Sequence, residues 1–179
     1  MTYIGIDQSF SRTGMVAIDQ SGEVLIVASA EPRETDDNGI RRIVAEVIDF
    51  SGRVFKVYDK MQTFCIETPT MSKHGSRAYQ QLCCLFGVLR YEFRAREVNP
   101  RSWQSKIMHN RLRGINKRTR AGAAEYLEQV YIATGYHFTN PDIADAYCIA
   151  EYSRRLDMGL VSLSKKSSRP RGKTQQKTE

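Results

Sequence analysis

The stretch YIGIDQSFSRTGMVAI, residues 3–18, carries two apolar runs separated by a polar one. Tyr3-Ile4-Gly5-Ile6 and Thr13-Gly14-Met15-Val16-Ala17-Ile18 read as short buried strands, with residues 9–12 as the hairpin turn between them. Asp7 closes the first run. An aspartate next to serine commonly starts a turn by bonding its own backbone. A carboxylate at a strand end is equally the kind of group that builds a site, and this stretch alone leaves both readings open.

The chain has 179 residues, 41% of them hydrophobic, enough for one compact domain with a real core and not comfortably enough for two. The expected division is a folded domain over 1–163 and a tail over 164–179 too polar and too rich in Ser, Lys, Arg and Gln to fold alone. Cys65, Cys83, Cys84 and Cys148 show no CxxC spacing and no histidine pattern, which speaks against a zinc site or a disulfide framework. No basic stretch followed by an apolar core opens the chain, and no run approaches a membrane span. The expectation is a cytoplasmic protein with reduced thiols and no membrane partner.

Net charge is +7 and the isoelectric point about 9.3. The charge is uneven. Between Arg90 and Arg120 stand ten Lys/Arg against two Glu, and the tail carries six Lys/Arg against one Glu, so the remainder is net acidic. Such polarity suits a polyanion lying along the basic parts while carboxylates collect elsewhere. Lys73, Arg101, Lys106, Arg111, Arg113, Lys117, Arg118 and Arg120 are the candidate nucleic-acid contacts.

Residues 23–28 read as a third strand, completing an antiparallel meander, and 31–39 as a polar connection. Ile40, Ile43, Val44, Val47 and Ile48 recur at helical spacing, predicting a helix from about 38 to 57 with Gly52 as a weak point. A fourth strand at 64–67 ends at Thr68-Pro69. Residues 76–93 read as a helix apolar nearly all round, packed on the sheet and on a second subunit. A fifth strand at Glu97-Val98 is stopped by Asn99-Pro100. Helices at 103–110 and 117–133 follow, and a last one starts near Pro141.

Glu67 stands where Asp7 does, at the end of an apolar strand before a reversal. In NPDIADAYCIAEY, residues 140–152, Asp142 and Asp145 are three apart and share a face near the start of a largely apolar helix. Buried carboxylates are unfavourable unless paired or bound to cations. Four acids without His or Cys form an oxygen-only donor set, which favours Mg²⁺ or Mn²⁺ over zinc. Two such ions about 3.5–4 Å apart can activate a water and stabilise the leaving oxygen of a phosphodiester.

The succession GIDQSFSRTG, CIETPTMSKHGS, INKRTR and DIADAYCIA, spread over 3–155, resembles the RuvC family of Holliday junction resolvases. The resemblance implies an RNase H-like α/β fold: a mixed five-stranded sheet whose first three strands form an antiparallel meander, flanked by helices. It implies two Mg²⁺ ions, or Mn²⁺, held by Asp7, Glu67, Asp142 and Asp145, and a homodimer that resolves four-way DNA junctions. The cuts would be paired symmetric nicks leaving a 5′-phosphate and a 3′-hydroxyl. Lys117 matches the family's basic residue near the scissile phosphate, with Arg118 as the alternative match. Two departures stand out: Gln8-Ser9 where bacterial members read Pro-Gly, and Thr70 where they place a stacking aromatic. They keep open a nuclease of broader fork and flap specificity; a non-catalytic branched-DNA binder on the same scaffold is a separate reading, against which the four intact carboxylates speak. The opening also looks like the phosphate-binding hairpin of sugar kinases, but no glycine-rich nucleotide loop accompanies it. Trp103 reads as a core anchor rather than a base-stacking residue, His137 as structural, and His74 and His109 as neighbours of phosphates.

Overall fold

In a computed structural model, which describes residues 1–32, 36–58, 60–70 and 76–162, β1 (Thr2–Asp7) and β2 (Thr13–Ile18) form the expected hairpin. β3 (Val24–Ala30) pairs antiparallel with β2. β4 (Gln62–Glu67) and β5 (Arg96–Val98) join in parallel on the far side of β1, giving the order β3-β2-β1-β4-β5. This is the mixed five-stranded sheet, with its antiparallel meander, that the sequence predicts.

Side chains alternate between the two faces of a strand, and each face builds its own core. Ile4, Ile6 and Ile66 pack with Ile43, Val47, Phe50 and Val54 of α1 (Asp37–Tyr58) and Leu85 and Leu89 of α2 (Arg77–Phe93). Tyr3, Val16, Ile18, Cys65 and Val98 face the other way, beneath α3 (Pro100–Lys106), α4 (Arg120–Thr134) and α5 (Pro141–Asp157). Asp7 shares the parity of Tyr3, and Glu67 that of Cys65. Both strand-end carboxylates therefore belong to the face covered by α5.

Two glycines let α5 lie directly on the sheet. A Cβ on Gly5 would stand 2.8 Å from the backbone N of Ala150 and overlap the carbonyl oxygen of Ala146. One on Gly14 would stand 2.5 Å from the carbonyl carbon of Asp142 and overlap its oxygen. The helix is buried continuously from Ala144 to Arg154. Its buried Glu151 is neutralised locally: Arg154 donates from Nε to Oε2 at 2.6 Å and from Nη2 to Oε1 at 2.8 Å, and Arg155 donates from Nε to Oε1 at 2.6 Å.

Some boundaries differ from expectation for local reasons. Asn99-Pro100 begins α3 rather than merely stopping a strand: the Asn99 side chain accepts from the Arg101 N–H, and Pro100 needs no N–H partner in a first turn. α3 accordingly spans Pro100–Lys106, not 103–110. α4 is capped by Thr119, which accepts from the Gly122 N–H, so Lys117 stands on the preceding loop rather than inside the helix. α1 runs unbroken through Gly52, because the Ile43, Val47, Phe50 and Val54 stripe holds it to the sheet. On α2 only Leu85 and Leu89 are fully buried, and Cys84 and Tyr91 lie exposed. Among the described residues no helix is long and apolar enough to cross a membrane. Lys73, His74 and the tail fall outside the described residues.

Candidate active site

The hairpin turn after Asp7 is held by other residues. The Ser9 N–H donates to Thr13 Oγ1 at 3.2 Å, and the Thr13 hydroxyl donates to the Ser9 carbonyl at 2.8 Å. With the turn closed in this way, the turn-former reading of Asp7 loses its basis. Parallel pairing of Gly5 with Cys65 and Ile6 with Ile66 sets Asp7 beside Glu67 at the strand ends. Gln8 ties those ends together: its buried side-chain amide donates to the Glu67 carbonyl at 2.6 Å. Thr68 continues the tie to β5 through N–H and hydroxyl bonds to the Val98 carbonyl, both 2.9 Å.

From above, the start of α5 brings the other two acids. Asn140 caps the helix by accepting from the Asp142 N–H at 2.8 Å, and Pro141 occupies the first turn. Close seating on Gly14 and Gly5 then delivers Asp142 and Asp145 to the end of β1. The four predicted carboxylates thus converge from three elements.

Lys117 joins them from the loop between α3 and α4. Its ammonium bonds Asp145 Oδ2 and lies 4.8 Å from the centroid of the Tyr126 ring. Leu112 and Ile115 pack this loop onto the core. Arg118, the alternative match, is exposed and makes no contact with the carboxylates among the described residues.

Burial pushes the Asp7 carboxyl well above its ordinary value, and the charges of Asp145, Glu67 and Asp142 push the same way against Lys117. Glu67 rises to about 7, chiefly through burial, although the Trp103 hydrogen bond lowers it. Asp145 and Asp142 are also raised, burial again the leading cause and Lys117 the main opposition. Burial pulls Lys117 down, but Asp145, Asp7 and Asp142 outweigh it and its net shift is upward. Where Glu151 has two arginines to itself, these four acids bond one ammonium among the described residues, and Arg12, which also lowers Asp142, is paired with Glu31. The cluster is short of positive charge.

Two residues outside the sequence-based site take part. Trp103 donates Nε1–H to Glu67 Oε1 at 2.7 Å, and the Tyr126 hydroxyl donates to Asp145 Oδ1. Trp103 is a core anchor, and a buried indole N–H must still find an acceptor. That rule was the signal available for it. Nothing in the sequence marks Tyr126, because its partner lies nineteen residues away on another helix.

Arg111, Arg113, Lys117 and Arg118 lie on the α3–α4 loop and Arg120 opens α4, all exposed. Arg101 and Lys106 are exposed on α3, where they line a small groove with Ser102, Ser105, Tyr152 and Ser162. Tyr152 is seven residues along α5 from Asp145, about 10 Å at the helical rise. Arg101 and Lys106 thus stand on α3 and Lys117 on the loop that follows it.

No protein-family model matches the chain, and no curated protein matches it. Solved structures do. A RuvC from T. thermophilus in complex with Holliday junction substrate aligns with a TM-score of 0.62 at 15% identity, over 89% of this chain and 96% of that one. A second structure of Thermus thermophilus RuvC aligns with a TM-score of 0.59 at 16% identity, over 89% and 97%. At such identities the likeness is one of fold: this chain has the RuvC-like, RNase H-like fold.

Proposed function

We propose that the protein is a divalent-metal-dependent endonuclease that resolves four-way DNA junctions by paired symmetric nicks, leaving 5′-phosphate and 3′-hydroxyl ends. The observation that carries this reading is the convergence of Asp7, Glu67, Asp142 and Asp145 with, among the described residues, one ammonium, Lys117, bonded to them. The similarity to a RuvC in complex with Holliday junction substrate supports the choice of substrate.

The donor set suits Mg²⁺ or Mn²⁺: oxygens only, each acid raised chiefly by burial, with repulsion from neighbouring site acids adding to Asp7, Glu67 and Asp145. As they stand, no three of the described Asp, Glu, His or Cys side chains surround a common point closely enough to ligate an ion. Lys117 and the Tyr126 hydroxyl each bond one oxygen of Asp145, and Trp103 bonds one oxygen of Glu67. Asp7, Glu67, Asp142 and Asp145 would hold two ions, which supply Lewis acidity and a nucleophile at neutral pH. The chain's own part would be to hold the acids aligned, and to place Lys117 where it balances charge developing on the phosphate. Exposed Arg111, Arg113, Arg118 and Arg120 would track the backbone beside the site, with Arg101 and Lys106 engaging phosphates from α3 and Lys73 a further candidate contact outside the described residues.

Paired nicks require two sites, hence a homodimer. Its support is the uncovered side of α2, where Cys84 and Val88 line an apolar groove with Ile40, Val44 and Ile48 of α1. The domain would comprise 1–163, with the basic tail adding affinity for phosphates and the cytoplasm as the working compartment.

The test is cleavage of an end-labelled four-way junction with Mg²⁺ beside fork, flap and linear duplexes. Paired nicks on the junction, lost in Asp7→Asn while junction binding persists, are expected. Equal cutting of forks and flaps would replace the substrate claim, and cleavage by Asp7→Asn at the wild-type rate would remove the proposed chemistry.

A further inference from the structure

Two aromatic side chains end on the proposed metal carboxylates and carry no charge. Trp103, only 1% exposed, donates Nε1–H to Glu67 Oε1 at 2.7 Å. Tyr126, 2% exposed, donates its hydroxyl to Asp145 Oδ1 while its ring lies under the Lys117 ammonium. Resting on the cation-site reading given above, we propose that Trp103 and Tyr126 are positioning residues that restrict the carboxylates of Glu67 and Asp145 and so strengthen cation binding at the site.

The mounting of each donor carries the inference. Trp103 is set by the Asn99 cap and Pro100 at the start of α3, and Tyr126 by the Thr119 cap of α4. Both rings are buried in one core with Met108, Val130 and Cys148. Neither can swing away without opening that core, so the N–H and the O–H are fixed points against which a flexible carboxylate is oriented. Glu67 needs such a reference, because its side chain has more rotatable bonds than an aspartate and its strand fixes only the backbone. The Gln8 bond to the Glu67 carbonyl secures that backbone, and Trp103 secures the carboxylate.

Neutrality of the donors is the second point. Glu151, on the same helix, has its oxygens taken by guanidinium groups that cancel its charge. A guanidinium in place of either donor would cancel the charge of its acid and weaken the attraction for a cation. An indole N–H and a phenol orient the acid without supplying a counter-charge. Outer hydrogen bonds of this kind are typically worth 10- to 100-fold in metal affinity.

The test is Mn²⁺ binding to the full chain by titration calorimetry, with thermal unfolding in chelator as the control for folding. Tyr126→Phe keeps the ring beneath Lys117 and removes only the hydroxyl. Replacing Trp103 by 3-benzothienylalanine keeps the shape and exchanges the N–H for sulfur, and Trp103→Phe is its genetically encoded counterpart. Tyr126→Phe and the benzothienyl variant are each expected to bind Mn²⁺ about 10-fold or more weakly while staying folded. Because the chain has one tryptophan, Mn²⁺ should also broaden the only indole N–H resonance of the wild type. Wild-type affinity in either folded variant overturns the role of that residue, as does weakening that only follows a lost folded fraction. An unbroadened indole signal on Mn²⁺ binding places the ion elsewhere and overturns both roles. A wild type that binds no Mn²⁺ overturns the cation-site reading itself.

Discussion

Gly14→Ala tests whether the seating of α5 on the sheet sets the proposed chemistry. The new methyl would stand 2.5 Å from the carbonyl carbon of Asp142 and 2.9 Å from the backbone N of Ile143. Carbon atoms in contact settle at about 3.5–4.0 Å, so the start of α5 must retreat by roughly 1 Å. No side-chain rotation relieves the clash, because the opposing atoms are backbone. Overpacking of this kind costs about 1–3 kcal/mol, which for a chain of this size lowers Tm by about 2–4 °C per kcal/mol. The functional loss should be larger in proportion, since a 1 Å misplacement can cost about 10²-fold in rate. Gly52→Ala is the control: nothing stands within 4 Å of its Cβ, and replacing an exposed mid-helix glycine should stabilise by about 0.5–1 kcal/mol. The assays are single-turnover junction cleavage with Mg²⁺ and thermal unfolding of both variants. A Gly14→Ala protein that melts and cuts like the wild type would refute the reasoning, because α5 would then not need that contact.

Lys117→Ala should slow single-turnover cleavage by about 10²–10³-fold with little change in junction affinity, the size usual for one electrostatic donor; an unchanged rate would leave Lys117 as a tether for Asp145 alone. In chelator, stability should fall as pH rises from the ordinary glutamate value of 4.5 to about 7. Over that window the folded state holds a proton on Glu67 that the unfolded chain has released, so raising the pH favours unfolding. Glu67→Gln should flatten this part of the pH–stability curve, and an equally steep curve would assign it to other groups. Removing residues 164–179, with six Lys/Arg against one Glu, should weaken junction binding and reduce its dependence on salt. A salt slope equal to that of the whole chain would detach the tail from DNA.

The sheet and the four acids were legible because local pattern carries them. Continuous apolar runs marked β1 and β2, strand ends marked Asp7 and Glu67, and Pro141 with Asp142 and Asp145 three apart marked the start of α5. What escaped was non-local. Asn99-Pro100 is both a strand terminator and a helix cap, and only the Asn99 bond to the Arg101 N–H shows the second role. The bonds from Trp103 to Glu67 and from Tyr126 to Asp145 join residues 36 and 19 apart, beyond any periodicity. Gly5 and Gly14 looked like ordinary members of apolar strands. Their absent side chains matter only once a helix lies on top of them.

The alternation along β1 and β4 also guards against misassembly. Ile4 and Ile6 face the α1 core, while Gly5 and Asp7 face α5. A slip of one residue inverts every side chain of a strand. It would drive Asp7 in among Ile43, Val47 and Phe50 and turn isoleucines against the backbone of α5, where only glycine fits. A slipped chain would thus lose its reactive centre and its stability at one stroke. The acids proposed to cut DNA double as proofreaders of their own strand pairing, so that active molecules are drawn only from correctly registered ones.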